Sequence, residues 1–496
     1  MAVRSVGAGL ALLAAGAAHG APLQIAIDTP PAGLDPHLVT AFNSVVIVQG
    51  NIYEGLTAVA QDLSIVPGLA DSWETSEDGL QYTFTLASDV TFHDGSPMTA
   101  EDVAASIRRV QAEATGSPLA SRVAPITAVE EIDPRTVRMT LAEPFAPILT
   151  ALAGIAVVPS EYESDVDSLQ QAPVGTGPYA FSQWTPNGYI ELQRFEGYRT
   201  QGEPLLDGLR FNFVPEAATR LVGIQSGDYQ LLPALDPASA LQLQGQPSLL
   251  IAETRDLAYT LVGFNVAREP FGDPRVRTAF NMMLDRQEII DGALFGAGVP
   301  AGPLSPALVA WALDTSEFPC YETDREAATA LLEEAGVELP VRLTMNVLPR
   351  QDTRDIAQIV QQQVAGVFEI ELVNQEIGQF VQDWRNSNFD LFVSANGGGG
   401  DPDEYFYRTF YGGGSTNVFG YADDAIDQWL DEGRSQSDPA ARKAAYDEVQ
   451  RKLACEGPAA HIAYANLATA VSNRVTGFEI FANGRLTSLL WASLAD

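Results

Sequence analysis

Lysine, histidine and cysteine are all scarce in this chain of 496 residues. Lys443 and Lys452 are its two lysines, arginine supplies the rest of the 28 basic residues, and 64 acidic residues bring the formal net charge to −36. Nucleic acid binds basic surfaces that release its counterions, so this balance argues against a nucleic-acid partner. It disfavours anionic membrane surfaces for the same reason. The four histidines, His19, His37, His93 and His461, lack the close spacing of a zinc site. Gly-x-Ser-x-Gly, His-Glu-x-x-His and P-loop patterns are missing, so nothing supports an enzyme and no metal or cofactor is expected. Beyond residue 20, no apolar run reaches the roughly 20 residues that span a bilayer without meeting charge or proline, and no direct membrane insertion is expected. What is present, 46% hydrophobic and 19% charged residues, describes a globular protein too long for one core, hence two or three lobes.

Residues 1–20 carry a single charge, Arg4, followed by an apolar run over 6–18 and small residues at Ala18 and Gly20. This pattern reads as a secretory signal peptide cleaved before Ala21. No cysteine stands near that point, so a free periplasmic protein is expected rather than a lipid-anchored one. In an oxidising compartment Cys320 and Cys455 should pair, the alternative being two separate buried thiols.

Residues 66–110, VPGLADSWETSEDGLQYTFTLASDVTFHDGSPMTAEDVAASIRRV, carry the densest signal. YTFTL at 82–86 alternates with period two after the Glu77-Asp78-Gly79 turn, predicting one arm of a hairpin. HDGSP at 93–97 predicts a turn. Thr99, three residues before Asp102, predicts a capped helix carrying Val103, Ile107 and Val110 at helical spacing. This order resembles the signature of the extracytoplasmic solute-binding proteins, family 5, which serve peptide and nickel ABC importers. IYEGLT at 52–57, VGTGPY at 174–179, FGDPRVRTAF at 271–280, NVFGYADDA at 417–425 and RKAAY at 442–446 extend the resemblance in family order over almost the whole mature chain.

Strand and helix patterns alternate irregularly, which predicts a mixed α/β protein without short repeats. Strands are expected at 23–27, 136–141, 190–195, 209–214, 261–266, 343–347, 389–394 and 462–471. Helices are expected at 101–113, 325–335 and 356–367, and from Asp273 as cap with Pro274 in the first turn. The resemblance implies a two-lobed periplasmic-binding-protein fold with mixed β-sheets flanked by helices, two hinge strands and an extra subdomain. Lobe one would use 21–50, 171–262 and 476–496, the subdomain 51–170, and lobe two 263–475.

The segment SANGGGGDPDEYFYRTFY at 394–411 is the main binding candidate. Four consecutive glycines permit close backbone approach, and Asp401-Pro402 ends the turn; a flexible surface loop is the plain alternative. By resemblance this segment lines the cleft, with Asn396, Gly398, Asp401 and Tyr405 as candidate ligand-binding residues. Phe42 and Asn43 face it from lobe one, and Arg350 stands where relatives hold a ligand carboxylate. His93 reads as a turn residue and His461 as a hydrogen-bonded core or cleft residue. Peptide-binding relatives place an aspartate at the position of Gly398 to hold the ligand's α-ammonium. Here Asp401, Asp403 or another carboxylate must replace it, or the ligand is not a free-amino peptide.

The implied function is capture of a small solute between the lobes and delivery to an ABC permease with its ATPase, by a monomer. A peptide or amino-acid derivative leads; chelated nickel, an oligosaccharide or an opine-like conjugate are alternatives. From another class, a non-transport receptor or chaperone-like protein would share the fold.

Overall fold

The computed structural model describes residues 20–495, so the expected signal peptide lies outside the described residues apart from Gly20. Leu23–Ile27, whose Leu23, Ile25 and Ile27 are buried, pairs in parallel with Gly208–Phe213 and Leu231–Leu235. Tyr189–Arg194 and Tyr179–Thr185 extend this half of the sheet antiparallel. The other half holds Leu391–Asn396, Val341–Val347 and Phe368–Asn374, all parallel, with the helix Gln351–Val364 as one crossover. The helix Pro274–Met282 opens as predicted, with the Asp273 carboxylate accepting the Arg275 N–H at 2.9 Å.

Two long strands, Leu249–Phe264 and Ala459–Ser472, join the halves into one 11-stranded sheet. They run antiparallel from Leu249 opposite Ser472 to Gly263 opposite Ala459, with breaks in register between Arg255 and Tyr259 and between Thr260 and Leu261. Ala468, Ala470 and Val471 pair with Leu231–Leu235 on one side, while residues 259–264 pair with Leu391–Asn396 on the other. The chain therefore changes lobe inside these strands. The limits read from sequence, 262 and 475, fall near one strand's end and beyond the other's. An irregular stretch bends a strand, and two such strands side by side form a hinge.

A second sheet, four-stranded and antiparallel, orders Ala70–Thr75, Gln81–Leu86, Thr136–Leu141 and Ile126–Asp133. The helix Ala100–Gln111 packs on it through Val103 and Ile107, and the Thr99 N–H donates to Asp102 Oδ2 at 2.8 Å, closing the expected capping box. This core runs from Leu56 to Val157, whereas Ile52, Tyr53, Val158 and Leu169 join the core around Leu23–Ile27. Two polar ties fix the unit to lobe one. Arg109 forks onto Asp35 at 2.5 and 3.0 Å, both side chains fully buried. His93 Nε2 donates to the Gly177 carbonyl at 2.9 Å, and its Nδ1 accepts the Gly175 N–H at 3.3 Å, so the HDGSP and GTGPY turns meet.

Cys320 and Cys455 are joined in a disulfide with Cα atoms 5.7 Å apart. His461 departs from its expectation: it is buried, and neither ring nitrogen has a hydrogen-bond partner among the described residues. The ring lies against Tyr259 at 5.1 Å, and burial, then the charge of Arg286, pull its pKa from 6.5 to about 3. The unfolded chain binds this proton near 6.5 and the folded chain only near 3. The stabilisation is therefore complete above pH 6.5 and is lost as the pH falls toward 3. Between pH 7 and 4.5 the loss is about 3 kcal/mol. His461→Phe, which fills the same apolar space, should remove that share of acid lability. Urea midpoints of both proteins at the two pH values check this, and equal pH slopes would contradict it.

Candidate ligand-binding cleft

Between the lobes lies a cavity of about 520 Å³. Lobe one contributes Phe42, Val45 and Gln49 from the helix Phe42–Val48 and the residue after it, together with Leu467 and the turn Asn483, Gly484, Arg485. The subdomain contributes Val59, Leu63, Arg122 and Gly154; the irregular hinge stretch contributes Asp256 and Leu257, and lobe two the glycines at 397–400 and Glu404. The walls already touch. The Ala146 N–H donates to the Arg434 carbonyl at 2.9 Å, and Leu63 is buried within the lobe-two cluster that holds Leu257 and Tyr259.

The glycine segment is shaped by the helix that follows it. A Cβ on Gly398 would stand 2.1 Å from the Tyr405 ring, and one on Gly399 would stand 1.5 Å from Glu404 Oε2. A side chain at 398 would collide with the buried Tyr405 ring in the first turn of the helix Pro402–Phe410, whereas one at 399 would push the Glu404 carboxyl group aside. The space an aspartate would use at 398 is filled by Tyr405, and the carboxyl group of this segment that reaches the cleft is that of Glu404.

The candidate residues separate accordingly. Gly398 and Phe42 line the cleft, Phe42 at the mouth with 44% exposure. Asn43 faces a smaller neighbouring depression, where its Nδ2 donates to Asp28 Oδ1 at 2.8 Å and to the Thr29 carbonyl at 2.9 Å. Asn396 ends its strand beside the glycines and donates to the Tyr259 hydroxyl at 3.1 Å. Tyr405 is fully buried beneath the loop, its hydroxyl donating to the Leu257 carbonyl at 2.8 Å. Asp401 caps its helix through the Asp403 N–H and accepts from Arg442 Nη2 at 2.8 and 3.0 Å, while Asp403 accepts from Arg434 at 2.9 Å through each oxygen. Neither aspartate lines the cleft. Arg350 lies outside it and pairs with Asp352 at 2.5 Å.

Arg122, Asp256, Glu404 and Arg485 supply the charge instead, and sequence reading passed over all four as site residues. Glu404 alone carried a local signal, since it follows Asp401-Pro402 by two residues. Burial pushes the Glu404 carboxyl up, against the pull of Arg122. Burial also raises Asp256, opposed by the N–H groups of Ala258 and Leu257. Arg485 is drawn down to about 10 by burial and then by Arg122, with Glu404 acting the other way. Carboxyl and guanidinium groups thus both line the cleft, with Arg122 Nη2 4.0 Å from Glu404 Oε1, an arrangement matched to a solute bearing both signs of charge.

Two lobes on a two-strand hinge around a polar, partly apolar cleft define a solute-binding protein. Residues 64–417 match the bacterial extracellular solute-binding proteins, family 5 Middle, and the chain belongs to that family. It is 26% identical to the dipeptide-binding protein of Escherichia coli (strain K12), over 95% of this chain and 94% of that protein. It is 27% identical to the glutathione-binding protein GsiB of Salmonella typhi, over 92% and 91%. The structure of HbpA2 from Haemophilus parasuis superposes with a TM-score of 0.85 at 25% identity, covering 96% of this chain and all of that one. Among the described residues no helix is long and apolar enough to cross a membrane.

Proposed function

We propose that this protein captures a small peptide or amino-acid derivative in the cleft and delivers it to the permease of an ABC importer. The observation that carries the ligand class is the bipolar cleft, lined by the carboxyl groups of Glu404 and Asp256 and the guanidinium groups of Arg122 and Arg485. Unhindered backbone at 397–400 adds main-chain groups that an extended ligand can pair with. The dipeptide- and glutathione-binding relatives support the same class. Phe42, Gly398 and Asn396 act at the mouth and the loop, whereas Asp401 and Tyr405 act from beneath by holding the loop. The protein works by binding rather than turnover, as a monomer in the periplasm after cleavage before Ala21.

A ligand that binds only the folded state stabilises it by RT ln(1 + [L]/Kd), about 2.7 kcal/mol at 100 times Kd. We expect short peptides, glutathione included, to raise the melting temperature of the mature chain, with smaller or no shifts from nickel–histidine, oligosaccharides and opines. A shift confined to one of those other classes would replace this reading.

A further inference from the structure

We propose that the extra subdomain is a clasp that holds lobe two shut over the cleft, with Leu63 as its peg. The short strands Thr57–Val59 and Ile65–Pro67 form a hairpin, and Leu63 sits in its turn at φ +66°. That is the left-handed region, where a turn ordinarily takes glycine or asparagine and a bulky side chain is strained. The turn is well made in other respects. The Ala60 N–H donates to the Ser64 carbonyl at 2.9 Å, the Leu63 N–H to the Ala60 carbonyl at 3.0 Å, and the Ser64 hydroxyl to Asp62 Oδ1 at 2.6 Å. Turn formation alone therefore does not account for a leucine at this tip. A large apolar side chain stays in a strained position where its contacts outweigh the strain.

Those contacts lie on another body. Leu63 is 6% exposed and belongs to the apolar cluster of lobe two, together with Tyr405 and Phe406 of the helix Pro402–Phe410. Val59 of the same hairpin packs against that cluster, whereas lobe one, outside the hinge strands, brings to it the small side chain of Ala482. The glycine loop is held from the same side. A Cβ on Gly400 would stand 3.8 Å from Thr150 Cγ2 and 3.9 Å from the Leu63 carbonyl oxygen, ordinary contact distances. A second grip lies at the loop 144–147. There the Ala146 N–H donates to the Arg434 carbonyl at 2.9 Å, and the Arg434 guanidinium lies over the Tyr407 ring at 3.1 Å and the Phe145 ring at 5.3 Å.

The buried Arg109–Asp35 pair and the His93 bonds fix the subdomain to lobe one, so the two move together when the hinge bends. Opening the cleft must then withdraw Leu63 from lobe two and break the Ala146–Arg434 bond. The clasp thus sets the ratio of open to closed molecules from outside the hinge. Burying one leucine side chain shifts such a ratio by about tenfold or more. Leu63 also lines the cleft, so peg and solute share one wall. None of these contacts depends on the class of solute, and the clasp is tested apart from the peptide reading.

Pulsed dipolar spectroscopy of the mature protein provides the test. Spin labels at Ala128 of the subdomain and Gln436 of lobe two, both exposed, read the gap between these bodies; labels at Ala128 and the exposed Gln201 of lobe one are the control. Distances are recorded in buffer, with glutathione and with a panel of dipeptides. In wild type we expect a population at the docked distance in at least one of these conditions. In that condition Leu63→Gly, which suits the left-handed turn and removes the peg, should raise the ratio of open to docked molecules about tenfold or more. Leu63→Met, which keeps the apolar bulk, should stay near wild type. The control distance should be the same in all three proteins, which separates release of the clasp from loss of folding. No docked population in wild type, or a ratio in Leu63→Gly equal to that of wild type, overturns the clasp. A control distance that changes in Leu63→Gly overturns it too, because Leu63 would then be holding the subdomain to lobe one. A docked population that falls in Leu63→Gly supports the clasp even where no peptide raises it, and that result counts against the peptide reading alone.

Discussion

Reducing the Cys320–Cys455 bridge should lower the stability of the mature protein by about 5 kcal/mol in the chain-entropy model. The bridge spans 135 residues, and closing so long a loop removes much conformational freedom from the unfolded chain. It ties the short turn Pro319–Tyr321 to the last turn of the helix Pro439–Glu456. Non-covalent contacts hold the same place: Tyr321 lies under the Arg286 guanidinium at 3.6 Å, and its hydroxyl donates to the Ala301 carbonyl at 2.7 Å. The reduced protein should therefore keep its fold and its ligand affinity in dilute buffer while unfolding at lower urea. Urea titrations with and without reductant measure the difference. A change below about 1 kcal/mol would mean that the unfolded chain is already restrained without the bridge.

Asp401→Ala should cost about 3–5 kcal/mol, the range for stranding one member of a buried ion pair. Asp401 and Arg442 are 6% and 9% exposed at their side chains, so solvent screens the pair little. Removing the carboxylate leaves the guanidinium with the Gly433 carbonyl as its remaining acceptor and takes the cap from the helix beneath the glycine loop. The double variant Asp401→Ala with Arg442→Met removes both charges and should recover part of the loss. Denaturant unfolding of the two single variants and the double one gives the coupling directly. Strict additivity would show that the pair does not act as a unit.

Asp401 also shows where sequence reading succeeds and where it stops. Its place after four glycines and before Pro402 located the loop correctly, because turn chemistry is local. The partner that occupies its carboxylate, Arg442, lies 41 residues on, and no local pattern announces it. Thr99 with Asp102, and Asp273 with Pro274, were legible for the same reason in reverse, since each motif is completed within a few residues. The strand Leu249–Phe264 was seen only from 261 onward. Glu253, Arg255 and Asp256 interrupt its apolar run, and Asp256 belongs to the cleft wall. Arg122 and Arg485 stand more than 350 residues apart, so their meeting over Gly154 belongs to the tertiary fold alone. His461 sat in an apolar strand pattern that fixed its burial, but periodicity says nothing about whether a ring nitrogen finds an acceptor.

The two long strands are also levers. At about 3.3 Å per residue, Leu249–Phe264 is about 50 Å long, with its irregular stretch near the middle. A bend of about 10° there would swing each end by about 4 Å, because each arm reaches about 25 Å from the fulcrum. The ladder bonds on both sides of the fulcrum need not break for this, so each arm can turn as a stiff plate. A displacement of a few tenths of an ångström between the cleft walls would thus reach the outer rims of the lobes enlarged severalfold. Occupancy of the cleft could be read there by a partner that never touches the solute.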